Sequence, residues 1–462
     1  MTPAMRIKAF VSGHPLWSIF IFASLIRVLN IWHVAVFGGK FVIEDSFFLT
    51  FSIEWAQSFG FMAGEPGSNS FVERVPIYPL VVALFQAIGL GAPIFLALFN
   101  GMLDALTCVI IGLLGCMMER RLGLVAGGMA AMWPNLIIHS GLVLSDALFV
   151  LLFSAILYCA AKFLREPTAS WSLASGGLLG FAIVTRTVAQ FLVPPITIAI
   201  GAIALYHRRS KLNAMGLSLM FVVGTMIATV PVLTHNWVKF DNFSFSVQSG
   251  THMAYWVVPP IKAVENGTPL AETVSKMRGR FVDGLERDGV RETEISPFEV
   301  DRRLKEIAIA EILVSSPLAI AKAWAKGITV NLMSPAILID TRVRALATQS
   351  FYSLETPHFF AKVWRYVVGN GPVYGILFVI GAFGSIVTLG LSLYGALLLW
   401  RRNCWVAVFT GLAVVYFLLL NGPVGSPKYR LPLEPIIVLL TSLGILGLWD
   451  WWQTRYSKKQ EA

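Results

Sequence analysis

The chain has 462 residues, of which 56% are hydrophobic and 13% charged, with a mean hydropathy of +0.70. Soluble domains carry about 25% charged residues, so the polar surface is too small to cover a soluble core and lipid must solvate most of the chain. The net charge of +10 does not point to nucleic acid, because many of the Lys and Arg residues form short clusters after apolar runs: Arg120–Arg121, Lys162–Arg165, His207–Lys211, Arg401–Arg402 and Arg455–Lys459. That is the positive-inside pattern of membrane topology, not a basic groove for phosphates.

A helix that crosses the bilayer needs about 20 apolar residues. In chain order the runs 16–37, 93–117, 122–139, 142–164, 171–187, 188–206, 213–235, 373–400, 404–421 and 435–452 qualify, which makes about ten spans with both ends in the cytoplasm. Pro134 and the Pro194–Pro195 pair interrupt the pattern. The first run is long for a signal peptide and lacks a clear small-residue cleavage site, so it is expected to be a retained span. With the N-terminus inside, every basic cluster falls on the cytoplasmic side. The connections 38–92, turns near 140 and 187, the segment 236–372 and the stretch 422–434 then lie outside. Residues 46–59 and 76–90 suit interfacial helices lying in the membrane plane, and the mixed charge of 265–311 followed by the more apolar 317–333 predicts a small outer helical portion.

The chain therefore divides into an N-terminal transmembrane module 1–235 with its first outer loop, an outer or interfacial segment 236–372, and C-terminal spans 373–462. Its fold class is an all-α integral membrane protein. Cys108, Cys116, Cys159 and Cys404 lie in or beside apolar segments without a CxxC pair, and read as small apolar residues. No internal repeat is visible, which argues against a transporter built from two related halves. Arg27 and Asp104 fall near the middles of spans 1 and 2, where ionised groups are costly, and are expected to lie near each other or near an outer cavity.

The chemistry is expected on the outer face. Glu44 and Asp45 follow span 1, and Glu73 and Arg74 close the first outer loop, where Arg74-Val75-Pro76-Ile77-Tyr78-Pro79 sets a rigid backbone beside a planar cation. An acid, an aromatic-rich helix, Gly60-Phe61 and this Arg-x-Pro-x-Tyr-Pro run together resemble the first outer loop of the GT-C glycosyltransferases. The similarity is greatest to the dolichyl-phosphate-mannose–protein mannosyltransferases and the aminoarabinose–lipid A transferases. Trp133-Pro134-Asn135 through Ser145–Phe149 resembles that family's second outer turn, and Gly177–Arg186 its Gly-rich helix ending in Thr-Arg. Pro231–Asn236 is similar to a Pro-Trp-x-x-Arg-Asn element, with His235 in place of Arg. Lys428-Tyr429-Arg430-Leu431-Pro432-Leu433-Glu434-Pro435 looks like the basic entry to the final span. The resemblance covers 40–250 and 420–440; the segment 251–372 matches nothing.

The resemblance implies a GT-C multi-span bundle that transfers a sugar from a polyprenyl-phosphate donor by inverting displacement, with Asp45 as base, Glu44 able to share that role, and Asp146 in support. The acceptor would be a glycan, a lipid A-like lipid or a protein, and membrane lipids the other partner. Arg74, Tyr78, Arg186, His235, Lys428 and Arg430 are the expected donor-binding residues. Arg74, Arg186, Lys428 and Arg430 fall at outer ends of spans, the depth of a lipid phosphate, and fixed cations there stabilise charge on a leaving phosphate. No cofactor is expected, since His139 and His235 have no partner cluster at ligand spacing; a cation between Asp45 and Asp146 is the alternative. A flippase using the same cations, or a polysaccharide polymerase or ligase, are the rival functions. The size of the chain without a large soluble domain leans towards a bacterial inner membrane, with the site facing the periplasm.

Overall fold

The computed structural model describes residues 13–43, 70–349, 351, 354 and 359–460. Glu44, Asp45 and the expected interfacial helix 46–59 lie outside the described residues. Among the described residues the fold is entirely helical.

The first part of the bundle contains α1 (Pro15–Val36), the short α2 (Ile77–Ala87), α3 (Pro93–Met118), α4 (Arg120–Ala131), α5 (Pro134–Ser140), α6 (Asp146–Arg165), α7 (Ala169–Ile183), a 3-10 turn (Thr187–Leu192) running into α8 (Val193–Tyr206), and α9 (Lys211–Phe240). Proline opens α1, α3, α5 and α8 at their first turns, where its missing N–H costs nothing. Ser210 caps α9 through a 3.2 Å bond from Asn213 N.

The segment 236–372 supplies α10 (Val258–Asn266), α11 (Leu270–Arg287), α12 (Pro297–Leu313), α13 (Pro317–Met333) and α14 (Phe359–Gly369). The bundle closes with α15 (Pro372–Arg402), α16 (Cys404–Asn421), a 3-10 turn (Pro427–Leu433) and α17 (Glu434–Gln460). Among the described residues eight helical stretches are long and apolar enough to cross a membrane, and two bent pairs also pass as single spans. Val373, Ile376, Ile380 and Phe383 of α15 are exposed, as a lipid-facing helix requires.

Three elements differ from the expectation. Span 122–139 is two helices bent by 48°, because Pro134 cannot continue the hydrogen-bond ladder of α4. Span 171–187 is a helix of 15 residues, about 22 Å long against a hydrocarbon core of about 30 Å. The segment 297–333 passes the length and hydropathy test as a pair folded by 112° between α12 and α13. An amphipathic helix that the sequence reading did not single out, α14, exposes Phe360 and Trp364.

The short α7 is held by close backbone contact with α9. A Cβ added at Gly176 would stand 2.0 Å from the carbonyl oxygen of Phe221, whereas one at Gly177 would meet nothing within 4 Å. Gly176→Leu is therefore expected to lower stability by about 1–3 kcal/mol, read as the thermal midpoint in detergent, with Gly177→Leu near wild type; equal midpoints would refute the contact.

The segment 236–372 is tied to the N-terminal part of the chain by named bonds. Val247 N donates to Val72 O at 2.9 Å, and within the segment buried Asp301 accepts from Ser249 Oγ at 2.6 Å and Gly250 N at 2.7 Å. Thr341 Oγ1 accepts from Lys40 N at 3.0 Å, and Arg342 donates to Asn30 Oδ1 at 2.9 Å. The bonds of Val247, Thr341 and Arg342 hold this segment at the end of the bundle where α1 finishes and α6 begins.

Candidate active site

The bundle has two unlike ends. At one, the basic clusters meet acids and carbonyls: Arg121 pairs with Asp450 at 2.7 Å, Arg402 with Glu119 at 3.6 Å, and His207 Nε2 lies 3.0 Å from Leu164 O. The other end is built from the end of α5, the start of α6, the end of α7 and the Pro427–Leu433 turn. Here the structure brings together Asp146, Arg186, Lys428 and Arg430.

Asp146 is the first residue of α6 and is 2% exposed, where a carboxylate is favoured by the helix dipole. Its carboxylate pairs with the guanidinium of Arg186. Arg186 follows the break in α7, is partly exposed, and lies over the Phe149 ring with its guanidinium carbon 5.9 Å from the centroid. A planar cation anchored by a buried acid and an aromatic face has little freedom left, and one edge can meet a further oxyanion. Among the described residues no group of three or more His, Cys, Asp or Glu side chains converges as a metal site.

The second part of the site is a buried hydrogen-bond cluster around Glu434, which is 0% exposed. Its carboxylate accepts from Arg430 Nε at 2.7 Å, from Trp133 Nε1 at 2.6 Å and from Asn135 Nδ2. Arg430 also donates to Leu332 O at 2.6 Å and Ser334 O at 3.3 Å. An unpaired carboxylate buried in a span would be prohibitive; three donors make it tolerable. Lys428 is half-buried on the same turn. The turn is pinned by Asn331, which accepts from Ser426 N at 2.8 Å and donates to Val424 O at 3.1 Å, and by Asn421, which donates to Tyr429 O at 3.1 Å. The end of α13 thus forms a wall of this site.

His139 joins the two parts. It lies one turn beyond Asn135 on α5, is 2% exposed, and stands within electrostatic reach of Lys428, Arg430 and Arg186.

Arg74 and Tyr78 are placed nearby by the backbone. Ile77 N donates to Val184 O at 3.1 Å, which ties the Arg74–Pro79 run to the end of α7. Tyr78 is fully buried, and its hydroxyl accepts from Asn100 Nδ2 at 2.8 Å, while that amide also donates to Leu142 O at 2.7 Å. Burial raises the Glu73 carboxyl above its ordinary range, against the pull of adjacent Arg74. His235 is set apart, near the end of α9, with Nδ1 2.9 Å from Asn236 Oδ1 and its ring edge-on to Phe240.

The chain leading to Asp45 reaches the same end. Phe41 O accepts from Val143 N at 2.8 Å, and Phe41, Val42 and Ile43 pack with Tyr78, Leu142 and Leu144. The sequence reading missed Trp133, Asn135, His139 and Glu434 as members of one cluster. A signal was present: Glu434 is an acid opening an apolar span, four residues after Arg430.

These helices and this polar end define a membrane-embedded helical bundle whose fold is similar to that of a solved oligosaccharyltransferase. Residues 73–235, less than half of the chain, match the family model described as dolichyl-phosphate-mannose-protein mannosyltransferase. Among solved structures, the Archaeoglobus fulgidus oligosaccharyltransferase tethered to an acceptor peptide aligns with a TM-score of 0.52 at 12% identity, covering 96% of this chain and 50% of that one. The chain thus spans about half the length of that relative. ArnT from Cupriavidus metallidurans bound to undecaprenyl phosphate aligns with a TM-score of 0.43 at 15% identity, covering 93% and 77%. Curated proteins give no match.

Proposed function

We propose that the chain is a glycosyltransferase that moves a sugar from a polyprenyl-phosphate donor to an acceptor at the outer face of the membrane. The observation that carries this reading is the gathering of Arg186, Lys428 and Arg430 at the end of the bundle opposite the basic clusters. Positive-inside topology makes that end the outer one, and in a bacterial inner membrane it faces the periplasm. There the lipid tail stays among the spans while its phosphate meets fixed cations.

The step is a single displacement. The acceptor oxygen bonds to the anomeric carbon as the bond from that carbon to the phosphate oxygen breaks, which inverts the configuration. The electron pair leaves with the phosphate, where Arg186, Lys428 and Arg430 stabilise it, and the acceptor proton passes to Asp45. Asp146 holds Arg186 in position, and Glu434 does the same for Arg430. Arg74 is tied to the end of α7 and supplies a further cation at the mouth of the site.

The test is release of polyprenyl phosphate by purified protein given a panel of polyprenyl-phosphate sugars and a membrane extract as acceptor. Wild type is expected to turn over at least one donor, and Arg186→Ala to slow it by about 10²–10³-fold, the scale for one preorganised donor. No release with any donor would overturn the reading in favour of a flippase or polymerase.

A further inference from the structure

We propose that Asn135 Oδ1 and His139 Nε2 form a hydroxyl-binding pair for the sugar of the lipid-linked donor, beside the cations that take its phosphate. The inference rests on the donor reading above and adds to it a contact with the sugar itself.

The hydrogen bonds determine which atom each side chain leaves over. Asn135 Nδ2 donates to Glu434 Oε1 and to Pro427 O at 3.3 Å. Both partners only accept, so the amide cannot be turned round and Oδ1 is the acceptor that remains. His139 Nδ1 lies 2.9 Å from Asn135 O. A carbonyl only accepts, so Nδ1 carries the proton and the neutral ring has its lone pair on Nε2. Asn135 Oδ1 and His139 Nε2 are both buried without a hydrogen-bond partner. They belong to residues four apart on α5, hence on one face of the helix. Two buried acceptors without donors are a cost that native structures seldom leave unexplained.

The chemistry of the missing partner follows from charge and polarity. A phosphate oxygen has only lone pairs to offer and would be repelled by two acceptors. Arg186, Lys428 and Arg430 around His139 disfavour an ammonium at the same place. A neutral hydroxyl satisfies both conditions, since it donates to the acceptors and carries no charge. A ligand with a hydroxyl a few bonds from a phosphate matches the whole arrangement, and a glycosyl phosphate has that form. The Glu434 cluster then has a second role: it locks Asn135, which in turn sets the His139 tautomer.

The test compares binding of polyprenyl phosphate and polyprenyl-phosphate hexoses to the full chain in nanodiscs, without acceptor. Wild type is expected to bind one hexose-bearing lipid about tenfold more tightly than polyprenyl phosphate, the scale of one or two hydrogen bonds. His139→Phe is expected to lose most of that increment while keeping its affinity for polyprenyl phosphate, and His139→Gln, which retains an acceptor, to keep part of it. A series of monodeoxy donors on wild type reads the same contact without mutation, and removal of one hydroxyl should abolish the increment. An increment unchanged in His139→Phe and across the deoxy series would overturn the proposal, leaving at most a buried water on these atoms. Equal wild-type binding of both lipids would overturn it while the phosphate reading stands. Binding of neither lipid would remove both.

Discussion

Asp45→Asn is expected to slow polyprenyl phosphate release by about 10²–10⁴-fold, the usual contribution of a positioned general base, with donor affinity near wild type. Asp45 lies outside the described residues, so the expectation is argued from the chain on either side of the site. Phe41 is bonded to Val143 and Ile43 packs on the 142–144 turn, and Asp146 with its partner Arg186 follows directly. In the proposed step a carboxylate takes the proton of an acceptor hydroxyl while the cations hold the leaving phosphate. Asn keeps the shape and hydrogen-bonding capacity but cannot accept the proton, so the loss should fall on turnover and not on binding. Glu44→Gln, measured alongside, is expected to cost less. Equal release by wild type and Asp45→Asn would remove Asp45 as base and pass the role to Glu44, or point to an acceptor that is itself a phosphate and needs no base.

The largest structural effect is expected at Asp104. Arg27 and Asp104 meet in the middle of the bundle with side chains 1% and 3% exposed, and Arg27 Nε lies 2.7 Å from Asp104 Oδ2. The guanidinium also donates to Ala130 O at 3.1 Å and to Ala131 O, and approaches Cys108 Sγ at 3.3 Å. These contacts join α1 and α3 to the end of α4, where the helix stops before Pro134 and its last carbonyls need donors. Removing one partner of a buried pair leaves an uncompensated charge, so Asp104→Ala is expected to destabilise by about 3–5 kcal/mol. The readout is the thermal midpoint and the monodisperse fraction in detergent. Replacing both partners with apolar residues, Arg27→Met with Asp104→Leu, is expected to recover most of the loss, because the pair's desolvation cost disappears with it. Asp104→Ala at wild-type stability would mean that water reaches Arg27 and that the pair does not hold the three helices together.

Apolar run length and the positions of the basic clusters were enough to determine the fold class, since a lipid-solvated chain must satisfy its backbone within each span. The pairing of Arg27 with Asp104 was legible for the same reason: two ionised groups near the middles of adjacent spans have few alternatives to each other. Asp146 and Arg186 were each singled out, but not as partners. They are 40 residues apart, and only the packing of α7 with α6 brings them together. Sequence length alone also failed at α7, where the contact between Gly176 and Phe221 shows a helix held close by its neighbour, and at α12–α13, which pass the test for a span yet fold back by 112°. The cluster of Trp133, Asn135, His139, Arg430 and Glu434 joins residues some 300 positions apart. What the sequence determined by itself was therefore where the chain meets lipid and at which end its charges collect, because hydropathy and charge are local properties. Which acid holds which cation, and which buried acceptors are left without a donor, was decided only by tertiary packing, because hydrogen bonds depend on angstrom-scale distances between segments whose separation along the chain says nothing about them.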